Sequence, residues 1–275
     1  MGLRINSNIL SLNARSNLAN VSERLSGNFS RLSSGLRIAS ASDDAAGLGI
    51  SERLRAQVRS LNQAGRNAQD GVSLVQTAEG ALGQTNDNLA RLRELAIQSA
   101  NGTLNSGDRA IISLEFSALT AEIGRVATET NFNGVQLLDG TASSLNIQVG
   151  IDSGQTIAIS LSSVTQSSLG LGSTSFNVGS ATSASAALNA IDAAIDTVAG
   201  LRGNLGASQN RLGSAIRSIA TSAENLAAAE TRIRDVDVAF ETADLTRNSI
   251  LQQAAVSVLS QANVQPQLAL SLLGG

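Results

Sequence analysis

A mainly α fold is what this sequence predicts: an elongated antiparallel helical bundle or coiled coil formed by the N- and C-terminal thirds, with a small β-hairpin region in the middle. Three observations predict it. One apolar side chain recurs every seven positions through Ile191, Val198, Leu205, Leu212, Ile219, Leu226, Ile233 and Phe240, which is a coiled-coil seam. The N-terminal third carries apolar ladders at 3/4 spacing. A single proline, Pro266, in 275 residues leaves helices almost uninterrupted. Neither seam can be buried alone, so the first and last thirds are expected to pack together lengthwise.

The elements follow in order. Over residues 3–36, Val21, Leu25, Phe29, Leu32 and Leu36 form one helical stripe. Ser33-Ser34-Gly35 ends that helix, because glycine tolerates the left-handed conformation. Ser40-Ala41-Ser42-Asp43-Asp44 reads as a link and a new N-cap. A long helix over about 44–100 carries Leu54, Val58, Leu61, Ala68, Val72, Val75, Leu82, Leu89, Leu92 and Leu95, and Asn101-Gly102 is expected to end it. Asp108 is expected to cap a shorter helix with Ile112, Phe116, Leu119, Ile123 and Val126 on one face. Asn133-Gly134 signals a hairpin, with Asp139-Gly140 shortly after. Residues 141–180 turn to Ser, Thr and Gly. Leu145, Ile147, Val149 and Ile151 alternate with polar residues, as do Ile157, Ile159 and Leu161, so a two-stranded hairpin is expected there and loop elsewhere. A long helix starts near Thr182–Ser185 and runs to about 234. A second segment, roughly 236–263, is expected to stop at Pro266.

The eight seam residues contribute roughly 12–24 kcal/mol when buried, at about 1.5–3 each. Ordering some 50 residues costs more than that, so neighbouring helices must add contact area. Gly200, Gly203, Gly206 and Gly213 weaken the last long helix; close helix approach and plain weak spots are equally good readings of them.

Composition excludes several kinds of chemistry. The chain has no Cys, His, Trp or Tyr, and its 19 basic residues are all Arg. Soft-ligand and imidazole metal sites, Ser/His/Asp and Cys/His nucleophiles, a phosphate-binding GxxxxGK[ST] loop and a Schiff base are all excluded. No cofactor and no metal are expected, and a catalytic role is not. Charges of both signs interleave to a net −3 with five aromatic residues, all Phe, so no nucleic-acid or anionic-membrane footprint is present. No apolar run approaches the roughly 18 residues of a membrane span, and residues 1–15 lack the continuous apolar core of a secretory signal. Two apolar terminal stripes therefore stand out as an assembly seam: Leu18, Val21, Leu25 and Leu32 at one end, and Phe240, Leu251, Val258, Leu272 and Leu273 at the other.

Spaced motifs at both ends resemble bacterial flagellin. They are Ile5-Asn6-Ser7-Asn8 with Ser11-Leu12-Asn13-Ala14, and Arg31-Leu32-Ser33-Ser34-Gly35-Leu36-Arg37-Ile38 followed by Ser42-Asp43-Asp44-Ala45-Ala46-Gly47-Leu48. Leu92-Arg93-Glu94-Leu95-Ala96 and Asn131-Phe132-Asn133-Gly134 match the family's core. Ala229-Glu230-Thr231-Arg232-Ile233-Arg234-Asp235-Val236-Asp237, Gln252-Gln253-Ala254 and Leu272-Leu273 match its C-terminal end. Gly274-Gly275, where many members carry a terminal Arg, and the shuffled Asn263-Val264-Gln265-Pro266-Gln267 depart from the pattern.

The resemblance implies a structural subunit that polymerises into the bacterial flagellar filament for motility, located outside the cell. It implies that residues 1–42 and 236–275 pair as a coiled coil lining the inner filament tube. Residues 43–140 with 181–235 form the helical core rod, and 141–180 a short hairpin and variable loop region. The partners it implies are other copies in a helical homopolymer, a flagellar export chaperone and the type III export apparatus, and filament cap and hook-associated proteins. It also implies a Toll-like flagellin receptor, with Arg91, Leu95 and Glu115 as an exposed receptor-binding patch. The hook–filament junction protein shares the Ser-Gly-x-Arg-Ile and Ser-Asp-Asp blocks, but Ala45-Ala46-Gly47-Leu48 lacks the expected Pro. A secreted helical effector is the alternative from another class. A metalloprotease insert is excluded for want of any His.

Overall fold

The computed structural model describes residues 7–173 and 176–273, with side chains described as far as residue 266 in the last helix. The fold class is mainly α. Among the described residues there are five helices, α1 (Ile9–Ser34), α2 (Ala45–Ala100), α3 (Ser106–Glu129), α4 (Ala181–Arg234) and α5 (Val238–Leu273), and, between α3 and α4 in the chain, two short hairpins, β1 (Asn131–Phe132) with β2 (Val135–Gln136) and β3 (Ser144–Gln148) with β4 (Thr156–Ser160). The chain divides into two compact units, residues 1–56 with 225–275 and residues 57–224.

Local chemistry sets the helix ends. Asn8 caps α1 by accepting the Ser11 N–H at 3.1 Å, and Gly35 closes it in the left-handed region at φ 72°. The Asp44 carboxylate accepts the Gly47 N–H at 2.9 Å at the start of α2. Helix α2 ends at Ala100, just before Asn101-Gly102 as expected, but Gly102 is not among the left-handed glycines. Instead the Arg109 guanidinium donates to the Ser99 and Asn101 carbonyls, both at 2.9 Å, and satisfies the last turn from outside. The cap of α3 is Asn105 rather than Asp108. Asp108 sits three residues on and reaches back to the Asn105 N–H, completing a reciprocal capping box.

In the unit of residues 57–224, α2 runs antiparallel to α3 and to α4, as the Arg91–Glu115 and Arg93–Asp192 ion pairs record. Leu82, Leu89, Leu92, Leu95, Ile123, Ile191, Val198, Leu205 and Leu212 are buried in one apolar core. The four heptad residues Ile191 to Leu212 thus fulfil the sequence pattern, and Ile219 is also buried. The seam does not continue to Phe240: Leu226 and Ile233 are half-buried, α4 ends at Arg234, and Phe240 lies on a different helix.

Asn133 at φ 50° and Gly134 at φ 80° form the two-residue turn between β1 and β2. In the longer hairpin Leu145 pairs with Ile159 and Ile147 with Ile157. It packs closely on α2 at Gly71, where a Cβ would lie 3.1 Å from Ile147 and 3.4 Å from Leu212. Gly200, Gly203 and Gly206 have open space, and Gly213 meets only Arg217 of its own helix, so none of the four permits a close approach. The segment after β4 is more than surface loop. Leu161, Val164, Leu169, Leu171 and Val178 are all buried in the same core, and the Gln166 amide donates to the Thr120 carbonyl of α3 at 2.6 Å.

In the other unit α1 and α5 run antiparallel. Their linkers are bonded to each other: Arg37 N–H donates to the Arg234 carbonyl at 2.7 Å and Val236 N–H to the Gly35 carbonyl at 3.0 Å. Pro266 does not stop α5, which runs through it to Leu273. A proline within a helix leaves the carbonyl four residues earlier without its donor. Here that carbonyl, Ala262, accepts the Asn8 side-chain amide at 2.7 Å. The capping residue of α1 thus replaces the hydrogen bond that Pro266 removes.

Candidate assembly surface

The seam between α1 and α5 has heptad spacing and an unusual composition. On α1 the inward positions are Ser11, Ala14, Leu18, Val21, Leu25, Asn28 and Leu32. On α5 they are Glu241, Leu245, Asn248, Gln252, Ala255, Leu259 and Ala262. Among the described side chains of these two helices, Ala14, Asn28, Glu241, Asn248 and Ala262 are buried, while the inward leucines remain half-buried. The two helices pack against each other along their length, and small residues at the inward positions suit such packing.

The buried polar groups satisfy one another. Asn28 Nδ2 donates to Glu241 Oε1 at 2.7 Å, Asn248 Nδ2 donates to Asn28 Oδ1 at 3.0 Å, and an Arg31 guanidinium nitrogen lies 3.4 Å from the same Glu241 oxygen. An open groove of about 760 Å³ runs beside this layer, with Arg24, Arg31, Arg247, Asp244 and Leu251 along it.

Large apolar side chains point away from the seam. Phe29 is 58% exposed, Phe240 65%, Ile250 61% and Val258 60%. Ile9, Leu10, Leu12, Val238, Leu251 and Val256 are exposed as well. The nine residues read from sequence as one seam therefore separate. Leu18, Val21, Leu25 and Leu32 face α5 within the chain, whereas Phe240, Leu251 and Val258 face outward; the side chains of Leu272 and Leu273 lie outside the described residues. Apolar periodicity found the outward stripe of α5 and missed its inward one. The inward positions of α5 are mostly polar or alanine, and only their 3/4 spacing marks them.

The patch of Arg91, Leu95 and Glu115 needs one correction. Leu95 is 2% exposed and belongs to the core, because it lies on the inward face of α2 with Leu92 and Leu89. Arg91 and Glu115 are exposed and joined at 2.8 Å, and Arg91 also meets Glu94 at 2.8 Å. These hydrogen bonds, that to Glu115 foremost, push the Arg91 pKa above its ordinary value. Among the described residues no group of His, Cys, Asp and Glu is placed to hold a metal ion, and no described helix is long and apolar enough to cross a membrane.

Residues 5–143 match the bacterial flagellin N-terminal helical region, and residues 188–273 the bacterial flagellin C-terminal helical region. The chain is 46% identical over 269 residues to a flagellin of Halalkalibacterium halodurans, covering 98% of this chain and 99% of that protein. It is 43% identical over 303 residues to a flagellin of Bacillus subtilis, covering 98% and 100%. The crystal structure of Bacillus cereus flagellin superposes with a TM-score of 0.51 at 34% identity, over 60% of this chain and 94% of that one.

Proposed function

The chain belongs to the bacterial flagellin family and is a structural subunit of the flagellar filament, and we propose that the outward apolar faces of α1 and α5 are the surfaces through which it joins its neighbours. The observation that carries this is the exposure of Phe29, Phe240, Ile250 and Val258 on a helix pair whose own seam is largely small and polar. Burying those four side chains contributes at most about 6–12 kcal/mol at 1.5–3 each, against the entropy lost on association. A contact repeated head to tail that does not close propagates as a helical filament. In this reading residues 1–42 with 236–275 line the inner tube, residues 43–140 with 181–235 form the surrounding rod, and 141–180 the small outer region. Removing residues 1–34 or 241–275 is expected to abolish polymerisation and leave a soluble helical core. Filaments of unchanged lattice from either truncation would overturn the assignment.

The filament is an extracellular structure, and secretion of the subunit is read as passage through the flagellar type III apparatus. An export chaperone would cover residues 236–273 beforehand, and filament cap and hook-associated proteins would meet the assembled ends. These partners rest on the family resemblance alone. A Toll-like flagellin receptor is proposed to meet the exposed Arg91–Glu115 pair, where a charged fork suits charge-assisted bonding. Arg91→Ala with Glu115→Ala is expected to cut receptor signalling by monomers strongly; unchanged signalling removes the proposal. The hairpin region 131–161 is proposed as the element with two packings that lets filaments supercoil.

A further inference from the structure

We propose that Asn28, Glu241 and Asn248 are the specificity-determining residues of terminal-helix pairing: this layer fixes which heptad of α5 faces which heptad of α1. The proposal goes beyond the filament reading, because it concerns pairing inside one chain.

The rest of the seam discriminates poorly. Leu18, Val21 and Leu25 face a series in which small, polar and apolar side chains recur every three or four residues. A slide of α5 by seven residues toward the linkers brings Gln252, Ala255, Leu259 and Ala262 into equivalent places. The chain permits that slide, since the extra turns can loop out after Asp235. Heptad-related registers of such a seam differ little in apolar burial.

The polar layer does discriminate. In the slid register Asn248 takes the place of Glu241, and Ala255 takes the place of Asn248. The Asn28 carbonyl then loses its donor and Arg31 loses its carboxylate, while both Asn28 and Asn248 stay buried. Buried polar groups without partners disfavour a structure far more than satisfied ones favour it. A single buried polar position is known to fix coiled-coil register at some cost in stability. In the structure all three residues are at most 8% exposed, and the two amides and the carboxylate are bonded at 2.7 and 3.0 Å.

The chain has no cysteine, so engineered pairs can report register directly. The Gln252 amide lies 3.5 Å from the Ser22 hydroxyl. Ser22→Cys with Gln252→Cys therefore reads the native register, and Ser22→Cys with Leu259→Cys reads the slid one. Cross-linking with a short bis-maleimide, which spans the gap left by shortening the Gln252 side chain, is run on the full chain before and after polymerisation, with intrachain products separated from dimers by gel mobility. With the native layer, only the 22/252 pair is expected to close. With Asn28→Leu, Glu241→Leu and Asn248→Leu, the 22/259 yield is expected to rise about tenfold, the discrimination that 1.4 kcal/mol confers.

A second variant moves the lock instead of removing it: Glu241→Leu, Asn248→Glu and Ala255→Asn place the same carboxylate and amide one heptad further along α5. Cross-linking should then shift from 22/252 to 22/259. If it stays at 22/252 in this variant, the linkers and not the layer set the register, and the proposal is overturned. Failure of the 22/252 pair to close in the parent chain would equally overturn it, because α1 and α5 would then not pair as described.

Discussion

The two helical units of this protein bury opposite kinds of side chain. Residues 57–224 hide Leu82, Leu89, Leu92, Ile123, Ile191 and Leu212 completely. The α1–α5 pair hides Asn28, Glu241 and Asn248 and leaves Phe29, Phe240, Ile250 and Val258 to solvent. Both are heptad-spaced helices of similar overall apolarity, so composition does not separate them. The first unit has most of its large apolar residues at the positions that face its own core, although Ile97, Ile111 and Leu114 remain exposed. The second has them at positions that face away, which is how a surface to be covered by other molecules is built. Under the proposed assembly, one unit holds an apolar core of its own and the other relies on neighbouring copies to cover its apolar faces.

The most disruptive way to break this contrast is to remove a large side chain from each unit. Leu92→Ala in the closed core is expected to cost about 2–5 kcal/mol of monomer stability, read as a lower melting temperature, with assembly impaired only as far as the subunit unfolds. Phe240→Ala on the open pair is expected to change monomer stability by less than about 0.5 kcal/mol and to raise the critical concentration for polymerisation sharply. A Phe240→Ala subunit that melts early but polymerises normally would show that this side chain belongs to an internal core.

Much of this contrast was legible in the sequence, and the exceptions have identifiable physical causes. Helix ends written in local chemistry, at Gly35 and Asp44, and the Asn133-Gly134 hairpin turn could be read directly. The closed core could be read too, since Ile191, Val198, Leu205 and Leu212 are both apolar and periodic. The α5 seam escaped because an apolar search passes over Glu241, Asn248, Gln252 and Ala255. Pro266 read as a stop because the rescue of the Ala262 carbonyl comes from Asn8, some 254 positions away in sequence. The buried segment around Val164 and Leu171 escaped for a related reason: scattered apolar residues among Ser and Gly have no period, and only α3 and its neighbours give them a place to pack. The family resemblance alone places Leu95 in an exposed patch, whereas its helical spacing from Leu92 and Leu89 already sets it on the inward stripe of α2.

A middle-sized effect is expected where the hairpin meets the closed core. Gly71 on α2 leaves room for Ile147, and an added Cβ would stand 3.1 Å from it. Gly71→Ala removes a helix glycine, which favours α2 by up to about 1 kcal/mol. It also crowds β3, and overpacking of this kind costs about 1–3 kcal/mol. The expected net result is a small loss of monomer stability with the hairpin displaced from α2. That displacement is the change a two-packing element would make, so Gly71→Ala filaments are expected to show an altered waveform. Wild-type curvature at every salt and pH tested would remove the hairpin from consideration as the switch.

The smallest expected effect lies in the link between α1 and α2, within the unit that contains the open pair. One Asp43 oxygen accepts the Ser40 N–H and the Ser40 hydroxyl, each at 2.9 Å, and the Ala39 N–H at 3.2 Å. These bonds, led by that from the Ser40 backbone, favour the charged carboxylate and hold its pKa below the ordinary 3.8. A depressed pKa means that the folded link binds a proton less readily than the unfolded chain does. Its contribution is therefore complete above the ordinary value and is lost as pH falls through the lowered one. Asp43 is exposed, so the effect is local order in residues 39–43 and not global stability. Amide exchange at Ala39 and Ser40 should accelerate relative to the core amides below about pH 4, and Asp43→Asn should weaken the protection and abolish its dependence on acid. Equal acid sensitivity in the Asn variant would mean that another group orders this link.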